Sequence, residues 1–195
     1  MIYIIRHGET EWNKKKIIQG VANNEPLNKN GIAQARKIAE YFSNKHLDLI
    51  ISSPLKRAIQ TALYVASKKN IQIILNKNFS EIDYGEWSGK KSSEIPRLFP
   101  HEWENFIEHP EKFAFRNGES ISSLYKRVTE AFDKLEKNKD ILIVTHTNPI
   151  RMIFAHILCL TIPNAYKLHF DNCTINKIRY EHNRWEVDSL NCKIT

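Results

Sequence analysis

Five side chains that could do chemistry stand just after predicted buried strands. They are Arg6, His7, Arg57, Glu81 and His146. In an open parallel sheet the carboxyl ends of the strands share one edge, so we expect these distant residues to meet there. Guanidinium groups bind phosphate oxygens in pairs, and a neutral imidazole, with an ordinary pKa of about 6.5, is a competent nucleophile. A carboxyl group can protonate the leaving oxygen, so the set predicts a site for a phosphoryl group.

The elements that must position these groups alternate along the chain. Runs of aliphatic residues at 2–5, 47–52, 71–75 and 141–145 do not alternate with polar residues, which predicts fully buried strands. Helical patterns lie between and after them. The predicted fold class is therefore α/β, a three-layer α/β/α sandwich with a mostly parallel central sheet and a small helical insertion.

Helix starts are predicted from capping residues and prolines. Asn28 and Ser120 can each accept hydrogen bonds at a helix start, and Ser53-Pro54 and Asn148-Pro149 predict two further starts. The inner faces carry Ile32, Ala35, Ile38, Ala39 and Phe42; Ala58, Ala62 and Val65; and Leu124, Val128, Ala131, Phe132 and Leu135.

Two segments depart from the alternation. Residues 79–118 contain Trp87, Trp103 and three prolines, which predicts an insertion of short helices covering one edge of the site. Residues 177–191 are typical of a terminal hairpin that turns at 182–184. We expect a single domain over 1–195.

Composition is that of an ordinary globular protein. The 195 residues are 42% hydrophobic and 26% charged, and the net charge of +7 comes from dispersed lysines, which indicates a solvated basic surface. The longest apolar tract, 149–163, is too short for a membrane span. The three cysteines lack zinc-site spacing and are too few and scattered for a disulfide framework. We expect a cytoplasmic protein without a nucleic-acid or membrane partner.

Four motifs together resemble the histidine phosphatase superfamily, also called phosphoglycerate mutase-like. They are "RHGETEWN" at 6–13, "SSPLKRAIQTA" at 52–62, "EIDYGEWSG" at 81–89 and "VTHTNPIR" at 144–151. The resemblance implies that His7 is the nucleophile, that Glu81 is the proton donor, and that Arg6, Arg57 and His146 bind the phosphoryl group. It further implies phosphate or substrate contacts from Thr10, Asn13, Gln19, Gly20 and Thr147, with no cofactor and no metal.

The compact chain is similar to the phosphatases of this family rather than to its longer mutases. His146-Thr147 with Pro149 and Arg151, and "FDNCTINKI" later, resemble the metal-independent phosphoserine phosphatases. That branch has a histidine where this chain has Tyr84, and a longer tail. A small phosphorylated metabolite is the expected substrate, with phosphoserine first and a homodimer as the expected assembly.

Several alternatives remain open at this stage. An alpha-ribazole phosphate or broad-specificity phosphatase, a phosphoglycerate mutase, or a non-catalytic phospho-ligand binding subunit would use the same motifs. Asp83 or Glu86 could replace Glu81 as the acid. His7, His146 and Glu81 could instead bind a metal ion, although Arg6 and Arg57 would repel the cation.

Overall fold

The computed structural model describes residues 1–194. In chain order its elements are β1 (Ile2–Arg6), α1 (Glu11–Lys14), α2 (Lys29–Phe42), β2 (Leu49–Ser52), α3 (Lys56–Lys69), β3 (Ile73–Leu75), α4 (Ile95–Leu98), α5 (Pro100–Glu108), α6 (Ile121–Asp133), β4 (Ile141–Thr145), α7 (Thr147–Ile157), α8 (Ile162–Ala165), β5 (Ile175–Glu181) and β6 (Arg184–Cys192). Short 3-10 helices lie at Lys77–Phe79, Gly85–Trp87, Ser92–Glu94 and Pro110–Lys112. Within the described chain, no helix is both long and apolar enough to cross a membrane.

One six-stranded sheet has the order β3-β2-β4-β1-β5-β6. The first four strands along the chain pair in parallel, whereas β5 runs antiparallel to β1 and β6 antiparallel to β5. The register pairs Arg6 with Thr145 at the ends of β1 and β4. Because His7 and His146 directly follow these two residues, strand pairing alone brings the two imidazoles together.

The sheet is covered on both faces, which confirms the predicted α/β class. On one face, α2 and α3 pack through Ile38, Phe42, Ala58, Ala62 and Val65. On the other face, α6 and α7 pack through Leu124, Val128, Phe132, Ile150 and Ile153. Alternate residues of each central strand point to opposite faces of the sheet. Because helices cover both faces, successive residues of β1 and β4 are buried and nearly all apolar.

The strand prediction at 71–75 is wrong in one respect. Ile74 and Leu75 are about half exposed, at 51% and 54%, because β3 pairs only with β2 and forms the edge of the sheet. Two predicted helix starts also shift. The cap of α3 is Leu55, and the cap of α7 is His146.

The inner faces of two helices are shorter than predicted. Ile32 is only half-buried near the start of α2, and Leu135 lies beyond the end of α6, which is Asp133. The hairpin is formed by β5 and β6, with a turn at His182 and Asn183, which both have positive φ.

Residues 77–118 form short helices held together by aromatic side chains. The Trp87 ring centroid lies 5.1 Å from that of Phe115, 5.7 Å from that of Phe113 and 6.1 Å from that of Trp103. The Trp87 indole N–H donates to the Glu102 carboxylate at 3.2 Å. These contacts make the segment a packed unit, so that its loops present backbone and side chains at defined positions.

Candidate active site

His7 is held in one tautomer by its hydrogen bonds. Its Nδ1 lies 2.8 Å from the Gly8 carbonyl oxygen, and its Nε2 lies 3.2 Å from Nε of Arg57. A carbonyl oxygen only accepts and a guanidinium only donates. The proton is therefore on Nδ1, and the lone pair of Nε2 accepts the Arg57 N–H.

Burial and positive charge keep both imidazoles neutral. Burial is the largest cause lowering the pKa of His7 well below its usual range, followed by Arg57 and Arg6, while the Gly8 bond acts in the opposite direction. The pKa of His146 is lowered in the same way, first by burial and then by Arg57. The two ring centroids are 5.0 Å apart. Neutral rings at this separation avoid mutual repulsion, and each keeps one basic nitrogen.

Arg57 connects the nucleophile candidate to the loop after α1. It is 1% exposed and donates to His7 Nε2, to the Gly20 carbonyl at 2.8 Å and to the Asn23 carbonyl at 3.2 Å. These bonds use three of the five N–H groups of a guanidinium, and the others remain for a ligand. Burial lowers the pKa of Arg57 to about 10, so the group is still positively charged at neutral pH.

Gly20 has a structural reason to be glycine. Its φ is 55°, and a Cβ there would lie 3.0 Å from the Ile82 carbonyl oxygen. The left-handed conformation directs its carbonyl oxygen to Arg57, as the bond above shows. Gly20 therefore helps to orient Arg57, while the phosphate or substrate contact expected of it stays a prediction.

Three site residues carry a buried polar atom with no partner among the described residues. These atoms are Arg6 Nε, Gln19 Oε1 and His146 Nδ1. Other polar atoms of two of these side chains are bonded to the protein. Arg6 Nη1 donates to the Phe170 carbonyl, and His146 Nε2 lies 2.8 Å from the Ser53 hydroxyl. Buried polar atoms are usually paired, so three such atoms at one end of the sheet mark a place for a polar ligand.

Glu81 lies in the loop that follows the 3-10 helix Lys77–Phe79 and is 8% exposed. Its Oε1 accepts from the Ile82 backbone N–H at 2.9 Å and from Asn148 Nδ2 at 3.2 Å. The charge of Glu81 also raises the pKa values of Arg6 and Arg57, which places the carboxyl near the two guanidiniums.

The alternative acids have other partners. Asp83 accepts from the Gly85 backbone N–H at 3.0 Å, and Glu86 accepts from the Asn117 side chain at 3.0 Å. Neither is among the groups that shift the pKa of Arg6, Arg57 or either site histidine. The geometry therefore favours Glu81.

Arg127, which the sequence did not single out, holds the loop that carries Glu81. It donates to the carbonyl oxygens of Asn78, Ser80 and Glu81 at 2.7 to 3.1 Å, and it pairs with Glu119 at 2.6 and 2.9 Å. No local motif marks this residue, because the carbonyl groups that it binds are 46 to 49 residues away along the chain.

Thr10 and Asn13 bond mainly to each other. The Thr10 hydroxyl accepts from the Asn13 backbone N–H, and Asn13 Oδ1 accepts from both the N–H and the hydroxyl of Thr10. This capping box defines the start of α1, and it uses the oxygen atoms of both side chains. Thr147 is half-buried and begins α7. The ligand contacts expected of these three residues stay predictions.

The metal alternative does not fit the geometry. In the part of the chain that the structure describes, the ligand atoms of His7, His146 and Glu81 do not form a group within 4.8 Å of one another. The group that does consists of His46, Asp48 and Asp140. It lies at the end of the sheet opposite to the site, where β2 and β4 begin. His7 Nε2 faces a guanidinium, as shown above, which disfavours a cation there.

Comparisons with known proteins agree with this arrangement. The chain is 34% identical to phosphoserine phosphatase 1 of Hydrogenobacter thermophilus, over 97% of this chain and 91% of that protein. It is 30% identical to a probable phosphoglycerate mutase GpmB of Enterobacter sp., over 94% and 86% of the two chains. A mutant phosphoserine phosphatase from Entamoeba histolytica in complex with phosphoserine superposes with a TM-score of 0.88 at 29% identity, covering 97% of this chain and 95% of that one.

The family model of the histidine phosphatase superfamily (branch 1) matches residues 2–193, which include every predicted site residue. The resemblance carried by the four motifs is therefore confirmed over nearly the whole chain. This protein belongs to the histidine phosphatase superfamily, branch 1, and is a phosphatase.

Proposed function

We propose that this phosphatase hydrolyses small phosphomonoesters through a phosphohistidine on His7, without a metal ion. The observation that carries the proposal is the lone pair on His7 Nε2. The Gly8 carbonyl holds the proton on the other ring nitrogen, and the guanidinium of Arg57 donates to Nε2. Because burial keeps the imidazole neutral, Nε2 is nucleophilic at and below neutral pH.

The groups around Nε2 suit a doubly negative phosphoryl group. The Arg6 Nε–H, the remaining Arg57 N–H groups and His146 Nδ1 are available to its oxygens. The backbone N–H groups at the start of α7 add partial positive charge beside His146. Such donors stabilise the charge of the transferring group most strongly because they are already in place and buried.

Glu81 supplies and recovers the proton. In the first step the P–Nε2 bond forms, the P–O ester bond breaks, and the carboxyl proton passes to the leaving oxygen. In the second step water attacks phosphorus, the P–Nε2 bond breaks, and the carboxylate takes the proton of the water. Tyr84 reaches Asn148 beside this carboxyl from residues 79–118, which supports the proposal that this insertion covers one side of a single-domain site.

L-Phosphoserine is the substrate we propose first. Two observations support it: the similarity to a phosphoserine phosphatase at 34% identity, and the likeness to an enzyme solved with phosphoserine bound. A cytoplasmic location and a homodimer stay predictions of the sequence.

The test measures phosphate release from L-phosphoserine in excess EDTA. p-Nitrophenyl phosphate and 3-phosphoglycerate are assayed alongside, and acid-quenched protein is examined for a phosphoryl group by mass spectrometry. We expect turnover and a trapped phosphoenzyme in the native chain, and neither in His7→Ala. The matched control is His101→Ala, because His101 is an exposed histidine outside the site.

Each part of the proposal has its own contrary result. Loss of activity in EDTA would contradict the metal-free mechanism. Turnover of p-nitrophenyl phosphate alone would reject phosphoserine and retain the chemistry. Binding of phosphate esters without any turnover would overturn the proposal and favour a phospho-ligand binding subunit.

A further inference from the structure

The side chain of Asn148 in α7 joins two groups of the loop at 81–84 to a third group of its own helix. Asn148 is 1% exposed. Its Nδ2 donates to Glu81 Oε1 at 3.2 Å and to the Tyr84 hydroxyl oxygen at 2.6 Å, while its Oδ1 accepts from Arg151 at 3.1 Å. No assignment of the site from sequence included this residue, although it follows His146 by only two positions.

Arg151 decides which way the amide points. A guanidinium can only donate, so the amide oxygen must face it, and the amide NH₂ must face Glu81 and Tyr84. Arg151 is itself held by a bond from its Nε to the Leu168 carbonyl at 3.1 Å and by contact with the Tyr166 ring. The amide therefore has a single satisfied orientation, and both of its N–H groups are used.

We propose that Asn148 is a positioning residue that determines which oxygen of Glu81 carries the transferable proton. Oε1 already accepts two N–H bonds, from Ile82 and from Asn148, whereas Oε2 accepts none from the described residues. When Glu81 acts as the acid, Oε2 is therefore the oxygen that carries the proton. This inference rests on the proposed phosphohistidine mechanism, in which Glu81 is the acid.

The same contacts act more strongly in the transition state than before it. When the Oε2–H bond breaks and the leaving oxygen takes the proton, the bonding electrons remain on Glu81 as carboxylate charge. Hydrogen bonds from Ile82 and Asn148 strengthen as that charge develops, since bonds to ionised acceptors are about twice as strong as neutral ones. Asn148 should thus matter most for esters whose leaving group needs a proton.

Tyr84 contributes by staying neutral beside the carboxyl. Burial, and then the charge of Glu81, raise the pKa of the phenol, so no second negative charge develops there. Its oxygen accepts the second Asn148 N–H, which leaves that amide without an unsatisfied donor.

The test compares substituted phenyl phosphates whose leaving groups differ in basicity but not in shape, from p-nitrophenyl to p-methoxyphenyl phosphate. Asn148→Leu keeps the branching and the number of heavy atoms and removes both N–H donors, and Asn148→Ala removes them without steric risk. We expect kcat for p-methoxyphenyl phosphate to fall about tenfold further than kcat for p-nitrophenyl phosphate, with little change in KM.

The matched control is Asn176→Leu. Asn176 is equally buried and its amide bonds to the Ile4 carbonyl and the Asn191 N–H, in the sheet rather than at Glu81. This variant should lower the melting temperature and leave the dependence on leaving group as in the native chain. If Asn148→Leu does not fold, Asn148→Ala decides the question.

Two results would overturn the inference, and they are distinguishable. In the first, the Asn148 variants lose kcat equally across the phenyl phosphate series while the native chain forms the phosphoenzyme. This would reject the role of Asn148 and leave the proposed function standing. A native chain that neither turns over p-nitrophenyl phosphate nor traps a phosphoryl group would reject the proposed function, and the role of Asn148 with it.

Discussion

Replacing Arg127 by methionine tests whether the loop of Glu81 is held from outside the site. Methionine keeps much of the apolar stem but removes every donor. The carbonyl oxygens of Asn78, Ser80 and Glu81 lose their partner, and Glu119 loses its ion pair. We expect both lower stability and a displaced Glu81 carboxyl.

The magnitude follows from the contacts. Arg127 and Glu119 are 20% and 16% exposed, so water replaces part of what is lost. Three hydrogen bonds at about 1 kcal/mol each, plus up to about 1 kcal/mol for the ion pair, give a loss of roughly 3 to 4 kcal/mol in the free energy of unfolding. For a chain of this size each kcal/mol lowers the melting temperature by about 2–4 °C, so we expect a fall of roughly 6 to 16 °C.

Urea unfolding and thermal melting measure the stability, and the phenyl phosphate series measures the position of Glu81. Arg179→Met is the control, because Arg179 also pairs with Glu181, Glu186 and Asp188 but lies on the exposed hairpin. We expect that control to lose much less stability than Arg127→Met, because solvent-exposed ion pairs contribute little. A loss of similar size in both variants, or an Arg127→Met enzyme with the native dependence on leaving group, would refute this role of Arg127.

Two further predictions concern acid stability and the packing of the first loop. Because burial depresses the pKa of His7 and His146, the unfolded chain takes up their protons below about pH 6.5 while the folded chain does not, so stability falls with pH from about 6.5 down to the depressed values. As the pH falls over that range, the free energy of unfolding of His7→Gln should therefore drop by about 1.4 kcal/mol less per pH unit than that of the native chain. Urea unfolding at a series of pH values measures this, and an equal drop in the two proteins would contradict it. Gly8→Ala should lower the free energy of unfolding by about 1 to 3 kcal/mol, since a Cβ there would lie 2.6 Å from the Gly31 carbonyl oxygen. Thermal melting of the variant beside the native chain checks this, and an unchanged melting temperature would contradict it.

Local signals predicted the parts of the fold that depend on neighbours in sequence. Asn28 and Ser120 cap α2 and α6 as expected, because a cap bonds only to backbone within three residues. Proline was a weaker signal: Pro149 sits at the third position of α7, where its missing N–H costs nothing, so it marks the first turn and not the first residue. The exposure of β3 depended on its place at the edge of the sheet, which no local pattern records.

The sequence by itself determined the class of fold, the family and the set of candidate site residues, because strand periodicity and the four motifs lie in short segments. Only the tertiary structure decided how those side chains are arranged. The register of β1 on β4 sets the 5.0 Å between the imidazoles, and Arg57 and Gly8 select the His7 tautomer from opposite sides. The network of Glu81, Asn148 and Arg151 joins segments about 67 residues apart, and hydrogen bonds across such distances exist only once the chain has packed.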